Sequence, residues 1–132
     1  MSQLTVYHYP PCGTCRNAIK SLQSKGHELE LHQIKETPPS AAELDKLVKL
    51  SGLELKKFFN TSGEVYKELG LKDKLAGMTR EEQLALLSSN GMLIKRPIVS
   101  DGKNATVGYK EETYEQVWGK SFFETKGGLS DS

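Results

Sequence analysis

At 132 residues the chain suits one domain, large enough to bury a core without disulfide or metal staples. Its charged fraction of 27% and formal net charge of +1 leave no electrostatic footprint for nucleic acid or an acidic membrane surface. No run approaches the length of a transmembrane helix, and Met1-Ser2-Gln3-Leu4 lacks the basic and apolar regions of a secretory leader, so a cytosolic protein is predicted.

In chain order, residues 4–9 are β-rich and read as a strand that Pro10-Pro11 ends, because proline cannot donate a ladder hydrogen bond. Cys12-Gly13-Thr14-Cys15 follows and holds both cysteines of the chain. Ala18, Ile19 and Leu22 then recur at helical spacing before Gly26, which predicts a helix over residues 13–25. Residues 28–34 alternate almost one by one, the pattern of a second, half-exposed strand. After Pro38-Pro39, Ser40-Ala41-Ala42-Glu43 has the form of a capping box, opening a helix through Leu44, Leu47, Val48 and Leu50 that Gly52 closes. Short helical patterns follow over residues 55–59 and 64–69, and Thr79-Arg80-Glu81-Glu82 forms a second capping box, opening a helix that Asn90-Gly91 stops. Residues 92–99 turn back to β character, the Asp101-Gly102-Lys103-Asn104 turn leads to a partner strand over 105–109, and a last helix is expected over 111–118. The expected organisation is a single domain over 1–118 with a helical insertion at about 40–90, then a polar tail over 119–132.

The cysteine pair carries the chemistry. In a reducing compartment two thiols this close are catalytic, regulatory or metal-binding sooner than structural. The free N–H groups and dipole of a helix start favour a thiolate on Cys12, which makes Cys12 the candidate nucleophile. Cys15, one helical turn on, is the candidate resolving thiol, able to attack a mixed disulfide or sulfenic acid on Cys12. Only three arginines occur, Arg16, Arg80 and Arg96. Arg16, nearest in sequence, is a candidate support for the thiolate unless its side chain turns to solvent. Two other readings stand beside this one. Cys12, Cys15, His27 and His32, with His8 in reserve, approximate the ligand spacing of a zinc finger, although Gly26 ends the helix before either of the last two histidines. Both cysteines could also be inert, filling space at a helix start. The predicted site therefore has neither metal nor cofactor.

The order βαβ, helices, ββα, with Cys-x-x-Cys at the first strand-to-helix junction, is that of an α/β, thioredoxin-like fold with an inserted helical subdomain. In such a fold Pro97 stands where a cis X-Pro bond brings the third strand against the cysteines, a support for the thiolate.

Cys12-Gly13-Thr14-Cys15-Arg16, Glu36-Thr37-Pro38-Pro39, Tyr66-Lys67-Glu68-Leu69-Gly70-Leu71, Arg96-Pro97-Ile98-Val99 and Val107-Gly108-Tyr109 together resemble the ArsC/Spx family of arsenate reductase-like proteins, over residues 4–118. The resemblance implies a thioredoxin-like fold and thiol chemistry reduced by thioredoxin, glutaredoxin or glutathione. It also implies that Arg96 matches a reductase arginine that contacts the oxyanion. Two further arginines of the reductases fall, by register, at Asn60 and Tyr109, so two guanidinium forks for a tetrahedral anion are lost, which weighs against arsenate turnover. Those reductases also need only one cysteine in this loop, whereas Cys15 lets this chain resolve its own intermediate. The alternative that the resemblance carries is an Spx-type redox-sensing regulator that binds the α subunit of RNA polymerase. It departs from this sequence at 120–132, which is mixed in charge and glycine-rich where those regulators continue with a basic segment.

Overall fold

The computed structural model describes residues 3–119. Strand β1 (Gln3–His8) is paired on both sides, in parallel with β2 (Glu28–Gln33) and antiparallel with β3 (Ile98–Ser100). β4 (Ala105–Val107) completes the sheet antiparallel to β3, giving the order β2-β1-β3-β4. The register sets Val6 opposite Val99 and Val99 opposite Thr106, while Tyr7 faces Ile98 and Ile98 faces Val107. Because side chains alternate across a strand, these two rows line opposite faces of the sheet.

Each face has its own helical cover. On one face Leu4, Val6 and Val99 pack with Ala18 and Leu22 of α1 (Gly13–Ser24), and with Tyr114 and Trp118, which follow from α6 (Glu111–Tyr114). Trp118 Nε1 donates to Thr106 Oγ1 at 3.2 Å, tying the C-terminal turn to β4. On the other face Tyr7, Ile98 and Ala105 join Leu44, Leu47 and Val48 of α2 (Ala41–Ser51), and Leu84 and Leu87 of α5 (Arg80–Ser89). Between these helices lie α3 (Glu64–Glu68), α4 (Leu71–Lys74) and 3₁₀ turns at Leu55–Phe58 and Leu75–Gly77. The helices between β2 and β3 therefore share a core with the sheet.

The long helices start and stop where local chemistry dictates. Ser40 and Glu43 satisfy each other's backbone N–H groups in a capping box, and Thr79 and Glu82 do the same. Gly52 ends α2 at φ +71°, a left-handed conformation that glycine adopts without penalty. Gly91 has a different reason: a Cβ there would lie 1.9 Å from the Ile34 carbonyl oxygen, so only glycine lets this turn lie against the chain leaving β2.

Three elements differ from the sequence expectation. Residues 92–99 do not form one strand: Asn90 Oδ1 accepts from the Met92 N–H at 2.9 Å, Gly91–Leu93 is a 3₁₀ turn, and Ile94 makes an isolated bridge to Phe59. The strand begins only after Pro97, which has no N–H to give a ladder. β4 stops at Val107 because Gly108 turns away at φ +79° while its N–H donates to the Pro97 carbonyl at 2.9 Å. The last helix is α-helical through Tyr114 and widens to a π-helical turn over Glu115–Gly119. Of the tail predicted over 119–132, Gly119 is buried in this turn, and residues 120–132, the segment compared with the regulators, lie outside the described residues. Among the described residues no helix is long and apolar enough to cross a membrane.

Candidate active site

Cys12 is the cap residue of α1, with extended backbone at φ −80° and ψ 120°. No side chain closes this helix start and no acidic residue occupies its first turn. The Cys12 N–H donates to the Tyr9 carbonyl at 2.9 Å, which leaves the thiol facing the first N–H groups of the helix. Burial alone would push the Cys12 thiol up. The Cys15 N–H, a hydrogen bond with the Cys15 thiol, the Arg96 charge and the Thr14 N–H together outweigh it and hold Cys12 below its ordinary value.

Cys15 lies one turn further, fully buried. Burial drives its thiol from 9.0 up to about 11, opposed by the Tyr9 N–H that donates to its sulfur at 3.5 Å and reinforced by the hydrogen bond to Cys12. The two thiols are thus unlike: Cys12 is half-buried and poised to ionise, Cys15 is enclosed and holds its proton.

Cys12 opens on a cleft of about 440 Å³ whose walls include Arg96, Asn60 and Tyr109. The Arg96–Pro97 peptide bond is cis, as the fold argument expects. The guanidinium of Arg96 sits 5.0 Å above the Tyr9 ring and donates a long hydrogen bond, 3.5 Å, to the Ile94 carbonyl. Its Nε is buried and has no hydrogen-bond partner among the described residues. Tyr109 is held by its phenol, which donates to Glu111 Oε1 at 2.6 Å; Ser21 donates to the same oxygen at 2.7 Å, and Lys25 pairs with the other carboxylate oxygen. These three partners, Lys25 foremost, hold the Glu111 carboxyl well down, at about 2, so it remains an acceptor over the whole working pH range.

Arg16 is placed elsewhere. It is exposed and donates to the Pro10 carbonyl at 3.0 Å. Two of the histidines are engaged with other groups: buried His27 bonds through Nε2 to the Trp118 carbonyl at 2.7 Å, and His32 stacks on Tyr7 beside Glu30. Among the described residues no cluster of three or more His, Cys, Asp or Glu has the arrangement of a metal site. The sequence reading did not foresee Thr14, Ser62, Lys95 and Lys110 in the cleft wall, nor Tyr9 under the arginine. Thr14 had a signal, inside the Cys12-Gly13-Thr14-Cys15 motif, and so did Lys95, as the sequence neighbour of Arg96.

A mixed sheet of this order, with helices on both faces, defines an α/β protein of thioredoxin-like fold. Within that class the chain belongs to the ArsC family, whose model matches residues 7–117. It is 56% identical over 115 residues to the uncharacterized protein YusI of Bacillus subtilis, covering 87% of this chain and 98% of that one. It is 37% identical over 100 residues to an arsenate reductase of Escherichia coli, covering 75% of this chain and 69% of the reductase. Among solved structures it resembles an ArsC family related protein from Bacteroides fragilis at a TM-score of 0.82 and 47% identity, covering 86% and 95% of the two chains. The arsenate reductase from Vibrio cholerae matches at 0.79 and 29% identity, covering 88% and 98%.

Proposed function

We propose that the chain is a thiol/disulfide oxidoreductase in which Cys12 is the nucleophile, Cys15 the resolving thiol and Arg96 the site cation. The observation that carries this reading is the unequal placement of the two thiols: Cys12 is half-buried at the helix start and opens on the cleft, whereas Cys15 is fully buried one turn behind it. The reaction balances without a cofactor. The Cys12 thiolate attacks one sulfur of a substrate disulfide, forming a mixed disulfide and expelling the other sulfur as a thiolate that takes a proton from water. Cys15 gives up its proton as it attacks the Cys12 sulfur, the second substrate thiolate leaves, and two electrons have passed to the substrate. The Cys12–Cys15 disulfide is then reduced by an external thiol, of the class of glutathione or a thioredoxin- or glutaredoxin-like dithiol.

Arsenate is a poor fit to this site. Asn60 and Tyr109 stand where the reductases, by resemblance, carry arginines, and the Tyr109 phenol is already committed to Glu111. One guanidinium remains for an anion that two or three would hold better. Replacement of Cys15 by serine tests the scheme, because it removes resolution and leaves attack. Cys15→Ser should accumulate a mixed disulfide on Cys12, seen as an added substrate mass on the Cys12 peptide. Turnover by Cys15→Ser at the wild-type rate with a monothiol reductant would show that Cys15 has no resolving role.

A further inference from the structure

The hollow over Cys12 continues past the cysteine. Along β4 it meets a second and larger groove of about 980 Å³, and Lys95, Thr106, Val107, Lys110 and Thr113 line both. Among the described residues this groove carries five lysines, Lys56, Lys57, Lys72, Lys95 and Lys110, and is lined by no Asp or Glu side chain. Only Lys56 has a carboxylate partner among the described residues, Glu54 at 3.8 Å with both side chains exposed, a pairing of little strength. Between the lysines the wall carries apolar side chains, Leu53, 42% exposed, with Phe59, Tyr66 and Leu75, interspersed with polar Thr61 and Gln83. On a chain whose formal net charge is +1, this concentrates uncompensated positive charge on one path to the reactive thiol.

We propose, resting on the oxidoreductase reading above, that this groove binds an extended acidic polypeptide segment and presents a disulfide on it to Cys12. Charge complementarity selects the acidic partner: carboxylates spaced along a chain meet ammonium groups on both sides of an apolar floor. Three features favour polypeptide over a phosphate polymer or a small anion. No arginine among the described residues lines the groove, so the bidentate fork that phosphate recognition uses is missing there. The apolar floor suits alternate side chains of an extended peptide, and β4 is an edge strand whose outer backbone edge has no strand partner among the described residues. At about 980 Å³ the groove lies at the upper end of what a small molecule fills.

Three peptides of one design test this, with the sequence Glu-Val-Glu-Cys-Glu-Val-Glu and its Gln and Lys counterparts, each carrying thionitrobenzoate as a mixed disulfide on the cysteine. At low ionic strength wild-type protein should release thionitrobenzoate from the Glu peptide about tenfold or more faster than from the Gln peptide, and slowest from the Lys peptide. The gap should close in about 1 M salt. The triple variant Lys56→Glu, Lys57→Glu, Lys72→Glu should lose the preference for Glu. It should keep the wild-type rate with uncharged hydroxyethyl disulfide, since these exposed lysines do not line the Cys12 cleft. Equal rates for the Glu and Gln peptides, or a Glu preference that survives charge reversal, overturn the proposal. Stronger competition by an oligothymidylate than by a cysteine-free Glu peptide also overturns it, in favour of nucleic acid. If wild-type protein does not react with hydroxyethyl disulfide, the oxidoreductase reading fails by itself. Fluorescence anisotropy of a labelled, cysteine-free Glu peptide then decides the groove alone, with binding lost in the triple variant supporting it and no binding overturning it.

Discussion

The start of α1 and the starts of α2 and α5 solve the same physical problem in opposite ways. Each exposes backbone N–H groups that have no partner within the helix. At α2 and α5 a Ser or Thr hydroxyl and a Glu carboxylate satisfy them locally, and both helices are thereby fixed at their ends. At α1 the cap residue is Cys12, its side chain makes no capping hydrogen bond, and the first turn holds no carboxylate. The donors that stability would have consumed stay available to a thiolate. Helix starts α2 and α5 contribute to holding the fold, and helix start α1 gives up that contribution to lower a pKa.

This contrast is open to test by exchanging what each end does. The largest effect should come from Cys12→Ser, which turns α1 into a capped helix. Thiol–disulfide exchange should fall at least about 10³-fold because the nucleophile is gone, while thermal unfolding should show stability raised by on the order of 0.5 kcal/mol, since serine is a good cap. A loss of stability on this substitution would mean that the cysteine sulfur itself closes the helix. Next in size, Arg96→Met removes a charge that holds the Cys12 thiol down. Its reaction with iodoacetamide at neutral pH should slow severalfold, and the shortfall should vanish at a pH where Cys12 is ionised in both proteins. The smallest effect belongs to the other helix ends: Thr79→Ala should cost about 1 kcal/mol and lower the melting temperature by roughly 4 °C, with Cys12 reactivity unchanged.

What the sequence made legible is what local chemistry decides. Ser40 with Glu43, Thr79 with Glu82, Gly52, and the two cysteines around Gly13-Thr14 all act within one helical turn, so their pattern survives into the structure without help from distant residues. The arrangement around Cys12 is another matter. Arg16, four residues from Cys12, turns to the Pro10 carbonyl, while Arg96, far along the chain, is brought over Tyr9 to act on the thiol. Proximity in sequence misleads wherever a long side chain leaves a helix on its solvent side. The shortened third strand had a legible cause in Pro97, but the turn before it depended on the Asn90 side chain taking the Met92 N–H, a choice that alternating apolar residues do not display. Lys110 and Ser62 reach the cleft from segments that only the tertiary fold brings together, and no spacing rule joins them to Cys12.

The unequal thiols are the centre of this account, and alkylation of Cys12 and Cys15 as a function of pH measures them directly. For each cysteine the rate rises with pH until the thiolate is fully formed and then levels. Peptide-resolved labelling of the reduced protein should find the Cys12 rate half-maximal below the ordinary thiol value of 9.0, and that of Cys15 slow at neutral pH with its midpoint shifted up towards about 11. Superimposed profiles for the two cysteines, or a Cys12 midpoint at or above the ordinary value, would contradict it.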